Sequence, residues 1–177
     1  NPRLALKRAA TATLAALVLS GAGAIATKIY RDVKVPVGFD YSGTSISSTR
    51  SLPDEINDDF VLIEVNSWKK GISEKSIENI KKCNEKGVPC GILLNSDATS
   101  EKEATADAAC ILALTEGDKI ECPIYYNIDG IVGKVSDEKL IEICTAFYEM
   151  CRGASVGIGA KEDTLDKIKE DLPNELK

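Results

Sequence analysis

The stretch at residues 76–104, SIENIKKCNEKGVPCGILLNSDATSEKEA, combines a helical pattern with a strand pattern, and this combination indicates the fold class. Its first part carries an apolar stripe of helical spacing, formed by Ile77, Ile80 and Cys83. This helix should begin near Ser73 and end at Gly87. The apolar run at 90–94 then predicts a strand buried on both faces, because it does not alternate with polar residues. The stretch therefore predicts a helix that leads into a parallel sheet.

The same alternation extends outward in both directions. Further strands are predicted at four apolar runs: 35–39, 60–65, 123–128 and 154–158. Ser100 and Glu103 form a capping box for a helix that runs to about Glu116. Ser136 opens a third helix, whose apolar face is Leu140, Cys144, Phe147 and Cys151. A fourth, which Pro173 ends, carries Leu165, Ile168 and Leu172.

This repeated succession of a strand and a helix predicts an α/β fold, built as an open doubly wound sheet or as a β/α barrel. No glycine-rich dinucleotide or P-loop motif follows any strand, which weakens the nucleotide-binding version. Residues 35–177 are too few for a complete eight-unit barrel, which needs at least about 200 residues. We therefore expect a partial or irregular TIM-like barrel, preceded by one N-terminal apolar helix.

The composition removes several classes of function. The 177 residues contain no histidine, which excludes Ser–His and Cys–His nucleophile pairs and most zinc sites. We expect no cofactor and no metal. Residues 1–34 hold six basic residues and one acid, whereas residues 35–177 hold 16 basic and 27 acidic residues. So acidic a domain repels phosphate backbones, which argues against nucleic acid as a partner.

Residues 1–34 predict export and form a segment separate from the domain at 35–177. Residues 9–27 are uncharged and as a helix would span about 28 Å, close to the thickness of a bilayer core. Basic residues precede this run, so as a membrane anchor it would leave the N-terminus in the cytoplasm. Small residues at 22–26 also suit a signal-peptide cleavage site. A buried helix is the third alternative. The first two place the domain outside the cytoplasm, either membrane-anchored or secreted.

Polar side chains follow the predicted strands where they end: Asp40, Asn66, Asn95, Asp97, Asn127 and Asp129. Glu64 lies inside a strand, where a charge must face a polar cavity or find a partner. The carboxyl ends of parallel strands meet at one edge, so we expect Asp40, Glu64, Asp97 and Asp129 to converge on an acidic cleft. Paired carboxylates suit glycoside hydrolysis. The alternative is that single acids only cap helices or solvate loops.

Five segments in consistent order resemble glycoside hydrolase family 25: VGFDYS (37–42), FVLIEVNS (60–67), residues 76–104, CPIYYNIDG (122–130) and SVGIGAK (155–161). The family comprises lysozymes (N-acetylmuramidases) that cut peptidoglycan in an irregular β/α barrel. The resemblance covers about residues 36–165, with a poor match in the first loop at 43–59. The family's final strands have no counterpart before Lys177.

The resemblance implies roles for particular residues. Its Gly-x-Asp motif falls on 38–40, so Asp40 is a site carboxylate. Its catalytic Asp-x-Glu falls on 127–129, so Asp129 stands for the acid and Asn127 for the charge-stabilising carboxylate. The family's Arg on the second strand falls on Glu64, and its nearby Tyr falls on Ser67. Its aromatic-rich stretch falls on Leu93, Leu94, Asn95 and Asp97.

These replacements predict poor catalysis. Glycosidic cleavage needs an acid behind the leaving oxygen and negative charge opposite, which an amide cannot supply. Losing such an electrostatic partner costs about 10²-fold in rate, and withdrawing the acid by one methylene costs about as much again. Asp97 or Asp40 could replace the missing carboxylate, and Asn127 could orient an acetamido group. We take Glu64, Asn66, Asn95 and Asp97 as the substrate-binding residues.

Three functions remain open. The chain is an exported, membrane-tethered domain that binds peptidoglycan or a related glycan and hydrolyses it weakly or not at all. Alternatively, it is an active N-acetylmuramidase with Asp129 as general acid. In the third hypothesis it is a structural subunit of a membrane assembly. The six cysteines allow 15 disulfide pairings in an exported chain, but their apolar surroundings favour free, buried thiols.

Overall fold

The computed structural model of the chain describes residues 43–116 and 120–176. In these ranges strands and helices alternate. The strands are β1 (Gly43–Ile46), β2 (Phe60–Asn66), β3 (Cys90–Asn95), β4 (Ile124–Asn127) and β5 (Val156–Gly159). The α-helices are α1 (Glu74–Lys86), α2 (Glu101–Leu114), α3 (Asp137–Met150) and α4 (Glu162–Ile168), followed by a 3₁₀ turn at Asn174–Leu176.

The five strands form one parallel sheet in the order β1-β2-β3-β4-β5. Crossovers between parallel strands are right-handed, so a sheet whose order never reverses carries its helices on one face. A doubly wound sheet reverses its order and has helices on both faces. The predicted α/β class and parallel sheet are confirmed, and the doubly wound alternative does not describe these five strands.

The hydrophobic core lies between the helices and one face of the sheet. Alternate residues of β2, Val61, Ile63 and Val65, belong to the same apolar cluster as Ile92 and Leu94 of β3. The helices contribute their buried stripes to this cluster, and the ring of Phe147 on α3 stacks on Tyr126 of β4 with centroids 4.0 Å apart. The predicted stripe of α3 is confirmed, since all four of its residues are buried: Leu140, Cys144, Phe147 and Cys151.

The second face of the sheet carries the strand residues that alternate with those facing the helices. Leu62, Leu93 and Tyr125 on this face are buried but lie outside the cluster that packs against the helices. Towards the carboxyl ends of the strands this face becomes polar, with Glu64 and Asn66 on β2. The second face therefore changes from apolar to polar in the direction of the edge where functional residues are expected.

Local sequence sets the helix ends. Ser73, Ser100 and Ser136 each accept a hydrogen bond from the backbone N–H three residues later, so each caps a helix as expected. Glu103 does not complete the predicted capping box, because its Oε2 accepts from the N–H of Thr99 at 2.6 Å. The fourth helix ends at Ile168, before the Pro173 that was expected to end it, although Leu165, Ile168 and Leu172 are buried.

Some predictions need correction or lie elsewhere in the chain. The first loop, expected at 43–59, contains β1, which pairs with β2 from Gly43 opposite Phe60 to Ile46 opposite Ile63. The strand predicted at 35–39 and the segment at 1–34 lie outside the described residues. Within the described ranges, no helix is both long and apolar enough to cross a membrane.

Candidate functional site

Three asparagines form a row across the carboxyl edge of the sheet. Asn66 on β2 is in register with Asn95 on β3, and Asn95 is in register with Asn127 on β4. The Nδ2 of Asn127 donates to the Oδ1 of Asn95 at 2.8 Å, and the Nδ2 of Asn66 lies 3.4 Å from the Oγ of Ser48. We call Asn66, Asn95 and Asn127 the amide row. Its half-buried side chains offer both donors and acceptors without a net charge.

Asp129 lies directly beside the amide row. Its backbone N–H donates to the Oδ1 of Asn127 at 3.1 Å, which fixes the orientation of that amide together with the bond to Asn95. The Oδ1 of Asp129 accepts from the backbone N–H of Lys161, which follows β5, at 2.9 Å. The carboxylate is therefore held between β4 and β5, with one oxygen occupied by a main-chain donor.

Glu64 lies one layer deeper on the same face. It is in register with Leu93, which pairs in turn with Tyr125. The carboxylate of Glu64 is half-buried, and no hydrogen bond or ion pair of this group is found in the described part of the chain. The hydroxyl of Tyr125 is also buried without a partner there, and burial raises its pKa. Among the described residues, therefore, neither of these two polar groups has a protein partner that would compete with a ligand.

Asp97 follows β3 but is turned towards the loop after β2. Its Oδ2 lies 3.7 Å from the Nζ of Lys70, whereas its Oδ1 is buried with no hydrogen-bond partner in the described ranges. The charge of Asp97 is thus partly compensated by a lysine. Asp40, the other carboxylate expected here, lies outside the described residues.

A buried polar cluster beneath the edge was not foreseen from the sequence. Asp107 of α2 is fully buried and accepts from the backbone N–H of Trp68 at 2.8 Å. The hydroxyls of Ser96 and Tyr126 lie 2.8 Å apart and reach Oδ2 of Asp107 at 2.9 and 3.4 Å. The N–H of Ala98 donates to Ser96 at 3.1 Å. The only signal was an acid within the alanine-rich helical stretch ATADAA at 104–109.

The structure brings most of the predicted site together. Asn66, Asn95, Asn127 and Asp129 share the carboxyl edge of the sheet, Glu64 lies one layer below, and Asp97 lies in the loop beside them. Within residues 43–116 and 120–176 no three acidic, cysteine or histidine side chains are grouped so that they could hold a metal ion. An edge rich in amides and acids can hydrogen-bond a neutral, hydroxyl-bearing ligand.

No family model and no curated protein matches this chain, but solved structures do. The modular autolysin LytC from Streptococcus pneumoniae is 20% identical, with a TM-score of 0.61 over 71% of this chain and 33% of LytC. The structure of LytC in complex with a synthetic peptidoglycan ligand is 22% identical in sequence, with a TM-score of 0.58 over 71% of this chain and 33% of LytC. The catalytic domain of endolysin ply40, from bacteriophage P40 of Listeria monocytogenes, is 14% identical, with a TM-score of 0.61 over 76% of this chain and 69% of that domain.

The chain therefore spans about a third of the length of LytC and about two thirds of the ply40 domain. At these identities the likeness establishes a shared α/β fold. It places the chain in the fold class of domains from a modular autolysin and a phage endolysin.

Proposed function

We propose that this chain is an exported, lysozyme-like domain of the family 25 type, with a partial β/α barrel, that binds peptidoglycan glycan and hydrolyses it weakly or not at all. The observation that carries the proposal is the amide row. It occupies the edge where the resemblance expects catalytic carboxylates, and one of its members, Asn127, replaces one of them.

Glycan binding is supported by the chemistry of this edge. Asn95 uses its Oδ1 to hold Asn127, so the Nδ2 of Asn95 remains available as a donor to a sugar hydroxyl or acetamido oxygen. The second oxygen of Asp129 and the carboxylate of Glu64 have no partner among residues 43–116 and 120–176, so both can accept hydrogen bonds from a sugar. One of the fold neighbours was solved with a synthetic peptidoglycan ligand, which makes this glycan the first to test.

Weak hydrolysis is supported by the same geometry. Both polar atoms of the Asn127 amide are engaged in hydrogen bonds, with Asn95 and with the backbone of Asp129. Because the side chain is an amide, this position carries no negative charge. Asp97 faces Lys70, so it is a poor substitute for a carboxylate opposite the acid. Cleavage through an oxocarbenium-like state requires both groups, and one missing group costs about 10²-fold in rate.

Export and membrane attachment through residues 9–27 complete the proposal, because a glycan of the cell wall is reached only from outside the cytoplasm. Basic residues before an uncharged run of this length support it.

The test separates binding from cleavage. Purified protein is sedimented with insoluble peptidoglycan, and the supernatant is analysed for released muropeptides. We expect co-sedimentation with little or no release. Asn95→Ala should weaken binding about tenfold, the effect of one lost hydrogen bond to a polar ligand. Asn57→Ala, an exposed asparagine in the loop before β2, is the matched control and should bind normally.

Other outcomes point to the other functions. Rapid release of muropeptides would identify an active muramidase. Absence of both binding and release would leave the chain as a structural subunit with this fold and would overturn the proposal.

A further inference from the structure

The loop from Ser67 to Gly71, between β2 and α1, carries the only tryptophan of the chain. Trp68 comes two residues after Asn66 of the amide row, and 41% of its surface is exposed. Single exposed apolar side chains are common and need no explanation by themselves. The position of Trp68 at the carboxyl edge of the sheet makes it relevant to the site.

Three acidic side chains of the following unit hold this loop. The buried carboxylate of Asp107 accepts from the N–H of Trp68 at 2.8 Å. The next two residues are lysines: Lys69 lies 2.7 Å from Glu103, and Lys70 lies 3.7 Å from Asp97. The two lysine pairs are partly exposed and contribute little energy, but together with Asp107 they fix where the loop lies. The main chain of Trp68 is therefore held by α2, and the two lysines that follow it pair with α2 and with the loop after β3.

The loop is also closed on itself. The N–H of Lys70 donates to the carbonyl of Ser67 at 3.0 Å, and the N–H of Gly71 donates to that of Trp68 at 3.2 Å. Gly71 has a φ of 74°, which a glycine adopts without strain and which ends the turn before α1. The backbone that carries this large aromatic ring is already ordered. A ligand would therefore not have to order the backbone of the loop on binding.

The apolar C–H face of a pyranose ring packs on an aromatic ring, while its hydroxyls need hydrogen-bonding partners at the side. Trp68 can offer the first kind of contact and the amide row the second, and Asn66 of the row precedes Trp68 by only two residues. Aromatic side chains with a rigid main chain contribute a large contact area at low entropic cost. Met150 is as exposed as Trp68, but it is the last residue of α3 and therefore lies at the opposite edge of the sheet from the amide row.

We propose that Trp68 is a sugar-stacking platform, on which one pyranose ring of the glycan packs next to the sugar held by the amide row. This inference rests on the proposed glycan binding and adds to it the residue that supplies the apolar contact.

The single tryptophan makes the proposal directly measurable. Soluble peptidoglycan fragments are titrated into the protein while its fluorescence is recorded, and sedimentation with insoluble peptidoglycan gives binding independently. We expect the emission of Trp68 to shift on binding. Trp68→Ala should weaken binding at least about tenfold, and Trp68→Phe, which keeps a ring, by no more than about threefold. Met150→Ala is the control for loss of an exposed apolar side chain and should bind as the parent does.

The outcomes distinguish this inference from the proposal on which it rests. If the parent protein binds without a change in emission and Trp68→Ala binds equally well, the platform is wrong and glycan binding stands. If the parent protein binds no glycan in either assay, both are wrong.

Discussion

Asp107 is the residue on which the order of the candidate site depends. Its carboxylate connects α2 with the loop after β2 through Trp68, and with the carboxyl ends of β3 and β4 through Ser96 and Tyr126. Burial raises its pKa, and the hydrogen bonds from Trp68 and Ser96 act in the opposite direction. A buried acid is costly unless its hydrogen bonds are made, so its presence here marks a position where geometry is held.

Asp107→Ala should lower the free energy of unfolding by about 2 kcal/mol or more, because it leaves the N–H of Trp68 without its acceptor and opens a cavity. Asp107→Asn keeps an acceptor for Trp68 and is the matched control, with a smaller expected loss. Urea unfolding followed by far-ultraviolet circular dichroism measures both variants. Equal losses for the two variants would contradict a role for the bond to Trp68.

The titration of Asp107 predicts a dependence of stability on pH. Its pKa in the folded protein is raised above the ordinary value of 3.8, so the folded state favours the protonated form. Its contribution to stability is therefore greatest below about pH 4 and decreases as the pH rises through the folded pKa. The difference in unfolding free energy between the parent protein and Asp107→Asn should decrease over this window and then level off. A difference that increases with pH would show that the hydrogen bonds outweigh burial.

Replacing the amide of Asn127 by a carboxylate should restore part of the catalytic activity. Asn127→Asp places a carboxylate where the N–H of Asp129 already donates, and the amide of Asn95 can turn to donate as well. Combined with Asp129→Glu, which extends the acid, this change should raise muropeptide release about 10²-fold above the parent protein. Asn127→Ala with Asp129→Glu lacks the carboxylate and should stay inactive. If the two double variants release equally little, other missing parts of the site limit catalysis.

At the scale of the elements, the sequence was most informative where the signals are local. The serine caps at 73, 100 and 136 and the apolar stripe of α3 depend on residues within one or two helical turns of each other. The strand β1 has the sequence GTSI, which is short and mostly polar. Only its pairing with β2 makes it a strand; its own residues carry no strand signal, and the segment at 43–59 was expected to be the first loop of the resemblance.

At Gly91 on β3 the structure leaves no room for a side chain. A Cβ there would lie 2.7 Å from the carbonyl oxygen of Pro123 and 2.8 Å from the Cβ of Cys122. Gly91→Ala must displace main chain and should lower the free energy of unfolding by about 1–3 kcal/mol. At Gly159 of β5 the nearest atom would be 3.4 Å away, so Gly159→Ala is the control and should cost less than about 1 kcal/mol. Urea unfolding measures both, and equal midpoints would contradict the expected clash.

For the whole molecule, the sequence predicted which polar residues gather at the carboxyl edge but not which contacts hold them there. Parallel strands end at one edge, so the polar residues that follow them had to come together, and Asn66, Asn95 and Asn127 do. Their exact register depends on how the strands pair, which no single strand encodes. The bond between Trp68 and Asp107 spans 39 residues and joins a loop to a helix interior. Contacts of this kind follow from the packing of the whole molecule.

The reactivity of the six cysteine thiols can be used to measure this packing, because none of them belongs to the candidate site. No disulfide joins any of the six cysteines, all of which lie in the described ranges; Cys83, Cys90, Cys144 and Cys151 are buried, whereas Cys110 and Cys122 are half-buried. Burial raises the pKa of Cys144 to about 12 and that of Cys151 to about 11, so neither forms the reactive thiolate near neutral pH.

We therefore expect a thiol reagent at about pH 8 to modify Cys110 and Cys122 quickly in the folded protein, and the four buried thiols only after unfolding in denaturant. Cys110→Ser is the control and should remove one fast-reacting thiol. Fewer than six reactive thiols in denaturant without reductant would reveal a disulfide, the alternative that an exported chain allows. Because the buried thiols lie on the helices and strands that carry the edge of the sheet, their rate of modification also reports how often the elements that support the amide row open together.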